Sequence, residues 1–339
     1  MNDRVYRRLQ EKVNEYGPGF PASSSGVELK ILKLLFSEQD AEFYMKMDKH
    51  PESVNNISKR IGKDIDKTKK QLEGMLKKGS IFCRTVGDVR VYFPAPYLIG
   101  LYENLAERMD ESIANLLEQY HKEVFFDQWA DHVEKTQGLR FLPVQEALNS
   151  VTTVFPHDDA IAILKTKNKI AVIDCPCRKQ LKLTGISTNP IEVCFSFDWL
   201  ADYYVNDLKQ GRALTIEEAM EIQKQCEQLG LINATSIEKD SIILCHCDKH
   251  CIHMRSLGSR NPADHFKSNY YSEVHSEDCI GCGMCLERCP IDAITIGQDQ
   301  VAVIDLDRCI GCGLCVTGCT NEALSLKQKP DEKLLKKLV

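Results

Sequence analysis

No stretch of this chain approaches the roughly 18 consecutive apolar residues that a membrane span requires. The N-terminus lacks the apolar core of a secretory signal, since Met1–Val13 carries Arg4, Arg7, Arg8 and Lys12 among polar residues. No glycine-rich nucleotide fingerprint is present, and no Ser/His/Asp order stands out, so bond-making catalysis has no motif behind it. Composition excludes disorder: 43% of the residues are hydrophobic and 27% charged, and 339 residues leave room for two or three domains. These absences predict a cytoplasmic protein, a compartment where thiols stay reduced.

Cysteine is what the chain has in quantity, with 16 residues. Eight form two copies of one spacing: Cys279-x2-Cys282-x2-Cys285-x3-Cys289-Pro290, then Cys309-x2-Cys312-x2-Cys315-x3-Cys319. Three cysteines at x2 intervals wrap one [4Fe–4S] cluster in a tight loop, and the fourth points to the other cluster. The spacing therefore assigns Cys279, Cys282, Cys285 and Cys319 to cluster 1, and Cys309, Cys312, Cys315 and Cys289 to cluster 2. Gly283 and Gly313 let backbone N–H groups approach the sulfides. Ala293–Ile296 and Val301–Ile304 read as a hairpin. Zinc sites instead pair Cys-x2-Cys units across a long gap, and disulfides need an oxidising compartment. Residues 275–327 resemble a two-cluster bacterial ferredoxin domain, with Thr320 standing where that family has a second proline. The resemblance implies low-potential electron carriage, and so many cysteine ligands point to an anaerobe.

The net charge of −6 is unevenly placed. Residues 273–327 hold nine acids and three bases. An acidic carrier of this kind pairs with a redox partner that presents a basic docking patch.

Residues 27–98 have a different character. Val27, Ile31, Leu34 and Leu35 recur at helical spacing. A second helix is predicted over about Glu52–Ile61. A third runs from Asp64 as N-cap to Gly79 just past its end. Ile81–Arg84 and Val89–Phe93 then flank the turn dipeptide Gly87-Asp88. This order resembles a winged-helix domain. Lys67, Lys69, Lys70, Lys77, Lys78, Arg84 and Arg90 make it basic, which raises DNA contact as a reading beside a solvated face or a partner-docking face. Glu103–His132 reads as one or two helices, a linker or dimerising element.

The segment 151–273 carries six more cysteines. The strand reading of Lys169–Ile173 runs into Cys175-Pro176-Cys177-Arg178, and Cys194 follows. Ser241–Leu244 runs into Cys245-His246-Cys247-Asp248-Lys249-His250-Cys251. Cys-x-Cys on an extended chain projects both sulfurs to one side, and two strands ending so are expected to meet a common metal from neighbouring positions. A third centre is predicted from Cys175, Cys177, Cys194, Cys245, Cys247 and Cys251, or a subset of them. Iron–sulfur is the first reading; the alternative is zinc with His246, His250 or His253. Cys83 and Cys226 read as small buried hydrophobes.

The whole order also resembles a family of anaerobe ferredoxin-like proteins: winged helix, Cys-Pro-Cys-Arg, a second cysteine-rich run, and a two-cluster ferredoxin end. Gly26-Val27-Glu28, Cys175–Arg178 and Ser268-Asn269-Tyr270 carry that likeness. Asp248 and His250 stand where some relatives have further cysteines. The expected architecture is α+β and multidomain. It comprises a lead-in helix (1–26), a winged helix (27–98), a helical linker (99–150), a small α/β cysteine-rich domain (151–273), a ferredoxin-like dicluster domain (274–327) and a tail (328–339). The function expected of it is electron transfer for an oxidoreductase, with a redox-sensing DNA regulator as the rival.

Overall fold

The computed structural model describes residues 3–136, 139–152, 154–186, 190–238, 240–330 and 334–335. Most of the expected tail at 328–339 lies outside the described residues. The chain forms two compact units, both discontinuous: 1–129 with 171–192 and 198–213, and 130–170 with 193–197 and 214–339. No described helix is long and apolar enough to cross a membrane.

In the first unit, α1 (Asp3–Val13) precedes α2 (Val27–Leu35) and α3 (Glu38–Tyr44). The helical spacing of Val27, Ile31, Leu34 and Leu35 falls on α2, and α3 follows as a further helix that the spacing did not announce. Ser37 separates them, because it caps α3 in a reciprocal box with Asp40 that satisfies the first orphan N–H groups. The short strand β1 (Glu52–Ser53) leads into α4 (Val54–Ile61), and Gly62 in the left-handed region turns the chain toward α5 (Ile65–Lys77). Asp64 caps α5 as its position predicts, accepting from Lys67 N–H. The hairpin β2 (Ile81–Val86) and β3 (Val89–Pro94) closes over Gly87-Asp88, and β1 adds to β3 in a three-stranded sheet of order β1-β3-β2. Part of this unit's core is aromatic: Phe20, Tyr97, Tyr120 and Phe125 meet at tilted or edge-on angles with ring centroids 4.6–5.9 Å apart. The buried Tyr44 hydroxyl donates to Ala95 O at 2.8 Å.

The expected basic face is only partly available. Lys67, Lys69, Lys70 and Lys77 are exposed. Lys78 is paired with Asp40 at 2.5 Å, Arg60 with Glu52 at 2.5 Å, and Arg90 with Asp207.

In the second unit, strands Leu139–Leu142, Ile232–Ser236, Ile243–Cys247 and Glu192–Phe197 lie side by side in that order, each paired antiparallel with the next. Helix Ile216–Gln228 carries a capping box of Thr215 and Glu218. Its Gln223 reaches the sheet, donating to Asn233 Oδ1 at 2.8 Å. Arg140, 2% exposed, is held by an ion pair with Asp158 at 2.9 Å, and Asn269 donates to the other Asp158 oxygen at 2.7 Å. Tyr270–Val274, the strand after Asn269, pairs with Leu324–Gln328. The expected hairpin appears as Ile294–Ile296 against Ala302–Ile304. Short helices Met284–Arg288 and Leu314–Thr317 follow the two cysteine loops. Arg288 ties them together, its Nε donating to Leu314 O at 2.8 Å.

Candidate metal centres

The eight C-terminal cysteines fall into two groups. Cys279, Cys282, Cys285 and Cys319 line one cavity, with Ile280, Met284, Ile296 and Leu324. The thiol of Cys285 is raised by burial first and then by Cys279, Cys282 and Cys319 around it. Cys315, pushed up to about 12 mainly by burial, has Cys309, Cys289 and Cys285 as charged neighbours. Cys312 lies well above the ordinary thiol value for the same reason, with Cys315, Cys309 and Cys289 near it. Each group thus draws its fourth thiol from the other half of the repeat. Thiols held this high would have to give up their protons on binding a metal. The donor set fits [4Fe–4S] ligation: four soft sulfurs per group, with the backbone N–H of Ala293 donating to Cys289 Sγ at 3.2 Å and that of Ala302 to Cys279 Sγ at 3.4 Å.

The two loops sit in unequal surroundings. Loop 279–284 is open, with Cys282 exposed, Ile280 65% exposed and Met284 45% exposed. Every residue of loop 309–314 is buried. Val144 N–H donates to Cys312 O at 2.9 Å, and the Cys315 thiol donates to Ser272 Oγ at 3.2 Å. Gly311, at φ +64°, lies so close to Tyr270 that a Cβ would stand 2.2 Å from its carbonyl oxygen. Sequence spacing carries no signal for this cover, because Val144, Ala147 and Tyr270 are brought to the loop only by folding.

The middle cysteines divide. Cys175 and Cys177 belong to the first unit, and the extended Cys-x-Cys geometry expected there is absent. Pro176 opens helix Pro176–Leu183, Cys175 becomes its N-cap residue, and Cys177 falls in its first turn. Proline favours that first helical position because its fixed φ suits the helix and its missing N–H would be unpaired anyway. In the second unit, Cys245 and Cys247 are extended, as expected, in strand Ile243–Cys247. Both neighbours of that strand come from Ile232–Ser236 and Glu192–Phe197. The expectation that the strand before Cys175 lies beside it is therefore corrected. Phe195 pairs with Leu244, and the register carried one residue on sets Cys194 opposite Cys245.

Cys245 is held well below the usual thiol value by hydrogen bonds from Cys194 and Cys247, with His253 adding to the effect. Burial opposes the lowering of Cys251, but its hydrogen bond with Cys247 and the charge of His253 outweigh it. Cys194, Cys245, Cys247, Cys251 and His253 therefore form one cluster. His246 does not join it: Nδ1 meets Val193 O at 2.5 Å and Nε2 meets Gln223 Oε1 at 2.7 Å. Strand alternation turns it to the face opposite Cys245 and Cys247. His250 stands 3.7 Å from Asp248. Among the described residues, no three His, Cys, Asp or Glu side chains converge closely enough to hold a single metal ion.

Cys226 is 1% exposed on helix Ile216–Gln228. Cys83 is buried but polar in its contacts. Its thiol donates to Asp207 at 3.0 Å and accepts from Arg90 at 3.1 Å, and burial raises it to about 12.

Residues 272–326 match the family model of the 4Fe-4S dicluster domain. The C-terminal segment is therefore a 4Fe-4S dicluster domain. The NADH-quinone oxidoreductase subunit I of Pelobacter propionicus is 37% identical over 62 residues, 18% of this chain and 33% of the relative. The chain spans about a third of the length of that curated relative. No solved structure matches it. Together the family match and this relative support iron–sulfur electron transfer.

Proposed function

We propose that this chain carries low-potential electrons for an oxidoreductase, holding one [4Fe–4S] cluster on Cys279, Cys282, Cys285 and Cys319 and another on Cys309, Cys312, Cys315 and Cys289. The observation that carries the reading is the grouping of eight thiols into two sets of four inside the matched dicluster segment. Such clusters supply one-electron chemistry, at a potential set by hydrogen bonding and solvent exposure. The chain's residues position the thiolates, donate N–H groups to the sulfurs, and exclude water from one loop more than the other. The partner is a redox protein with a basic docking patch. The relative's membership of an NADH-quinone oxidoreductase favours service to a larger enzyme.

A third centre is proposed on Cys194, Cys245, Cys247 and Cys251, with His253 beside them. Iron–sulfur stands ahead of zinc because the same chain carries a matched 4Fe-4S dicluster segment. Cys175 and Cys177 remain candidates from the sequence alone. Anaerobic iron, sulfide and zinc analysis with EPR tests the whole reading. About twelve irons per chain are expected, and about eight with no zinc would remove the third centre.

The second reading is a redox-responsive regulator. It is favoured by the order α4, turn, α5 and hairpin, which is winged-helix-like, and by the exposed Lys67, Lys69, Lys70 and Lys77. It requires salt-dependent duplex binding that changes with cluster state. No mobility shift at low salt rules it out.

A further inference from the structure

The two halves of the dicluster domain repeat in sequence but not in exposure. Loop 279–284 presents Ile280, Cys282 and Met284 to solvent. At the matching positions of the other loop, Ile310 is 1%, Cys312 8% and Leu314 0% exposed. The second loop is covered by the chain itself: Val144 bonds to Cys312 O, Ala147 sits over Gly313, and Tyr270 over Gly311. An electron-transfer partner must come close to a ligand edge, because electronic coupling falls steeply with distance. One edge is open to that approach and the other is closed.

The charge around the open edge is of one sign. All nine acids of residues 273–327 are exposed, and Glu277, Asp278 and Glu287 flank the open loop in sequence. The three bases turn inward or pair. Arg288 donates to Leu314 O and Thr317 Oγ1, Arg308 to Ile291 O, and Lys327 stands 3.6 Å from Glu273. An apolar centre with a charged rim is the anatomy of a transient protein interface. Here the rim is anionic, so its complement is cationic.

We infer that the face built by Ile280, Cys282 and Met284 is the docking surface for a redox protein whose contact patch is a ring of Lys and Arg around an apolar spot. The inference rests on the electron-transfer reading above and adds which half of the repeat meets the partner. Loop 309–314 has no such role, because the chain's own residues occupy its outer face.

The test uses the cluster-loaded full chain, with a lysine-rich c-type cytochrome as the probe. Binding at low ionic strength is measured by titration calorimetry on inactive-redox-state pairs, so that affinity is read without turnover. Ile280→Lys and Met284→Lys are each expected to weaken binding about tenfold, the loss typical of a central interface residue. Glu217→Lys and Glu221→Lys, exposed on helix Ile216–Gln228, make a comparable or larger change of charge and should alter affinity less than about twofold. Iron content verifies that each variant is loaded. A second readout is anaerobic alkylation after a chelator pulse, mapped by mass spectrometry. Cys279, Cys282 and Cys285 should be labelled first, with Cys309, Cys312 and Cys315 protected. Equal weakening by the helix variants, unchanged binding by the loop variants, or equal labelling of the two loops overturns the inference. A wild-type chain that takes up no iron would instead overturn the electron-transfer reading itself.

Discussion

Gly311 offers a direct test of how the buried loop is built. It has φ +64°, and an added Cβ would lie 2.2 Å from Tyr270 O, 2.6 Å from Tyr270 C and 2.8 Å from Ser268 Oγ. Tyr270 is fully buried and paired in a strand, so its backbone cannot retreat. Gly283 supplies the control: φ is +78°, but nothing lies within 4 Å of its Cβ position. Gly283→Ala should carry only left-handed strain, about 1–2 kcal/mol. Gly311→Ala adds an overpacking cost of about 1–3 kcal/mol, and its relief requires the loop to lift from Tyr270. For a unit of roughly 170 residues, that additional cost corresponds to a further fall in melting temperature of about 2–12 °C. Anaerobic thermal bleaching of the cluster absorption follows it, with chelator-driven iron loss as a second assay. Gly311→Ala should also speed the chelation of four of the irons. If the two variants melt together and release iron at equal rates, the close packing of loop 309–314 on Tyr270 is not what holds it.

Three other outcomes follow from the same geometry. Cys319→Ser should leave Cys279, Cys282 and Cys285 open to alkylation while Cys309, Cys312 and Cys315 stay protected, and Cys289→Ser should do the reverse; peptide mapping reads the crossing directly. Arg140→Leu should destabilise the second unit by about 3–5 kcal/mol, because it strands a buried carboxylate. Adding Asp158→Leu should recover part of that loss but not all, since Asn269 Nδ2 then lacks its acceptor; a urea double-mutant cycle separates the two effects. Glu227 is raised above the ordinary carboxyl value, first by burial, against the hydrogen bonds from Gln145, Gln223 and Asn233. A raised folded value means that its contribution is fullest below the unfolded value near 4.5 and is lost as pH rises through the folded value. Glu227→Gln should therefore gain stability over the parent as pH rises above that range, measured as urea midpoints at pH 4 and pH 8.

What was legible in the sequence had local causes. The x2-x2-x3 spacing announced the cluster loops because three ligands within seven residues leave the chain few paths around one core. Asp64 and Thr215 announced helix starts because a capping side chain bonds its own first turn. Local rules also misled. Cys175-Pro-Cys177 and Cys245-His-Cys247 have one spacing, yet Pro176 opens a helix in the first and the second stays extended.

By itself, the sequence determined the kind of cofactor that the C-terminal segment is built for and the positions of the eight thiols proposed to hold it, since thiolate chemistry and ligand spacing are carried along the chain. Only the tertiary structure decided that Cys194 and His253 join Cys245, that His246 turns away, and that one cluster loop is sealed while its twin is open. Those outcomes depend on strand register and on which distant residues arrive as neighbours. Burial is a property of the packed chain, and two near-identical loops acquire different surroundings only when Val144, Ala147 and Tyr270 close over one of them.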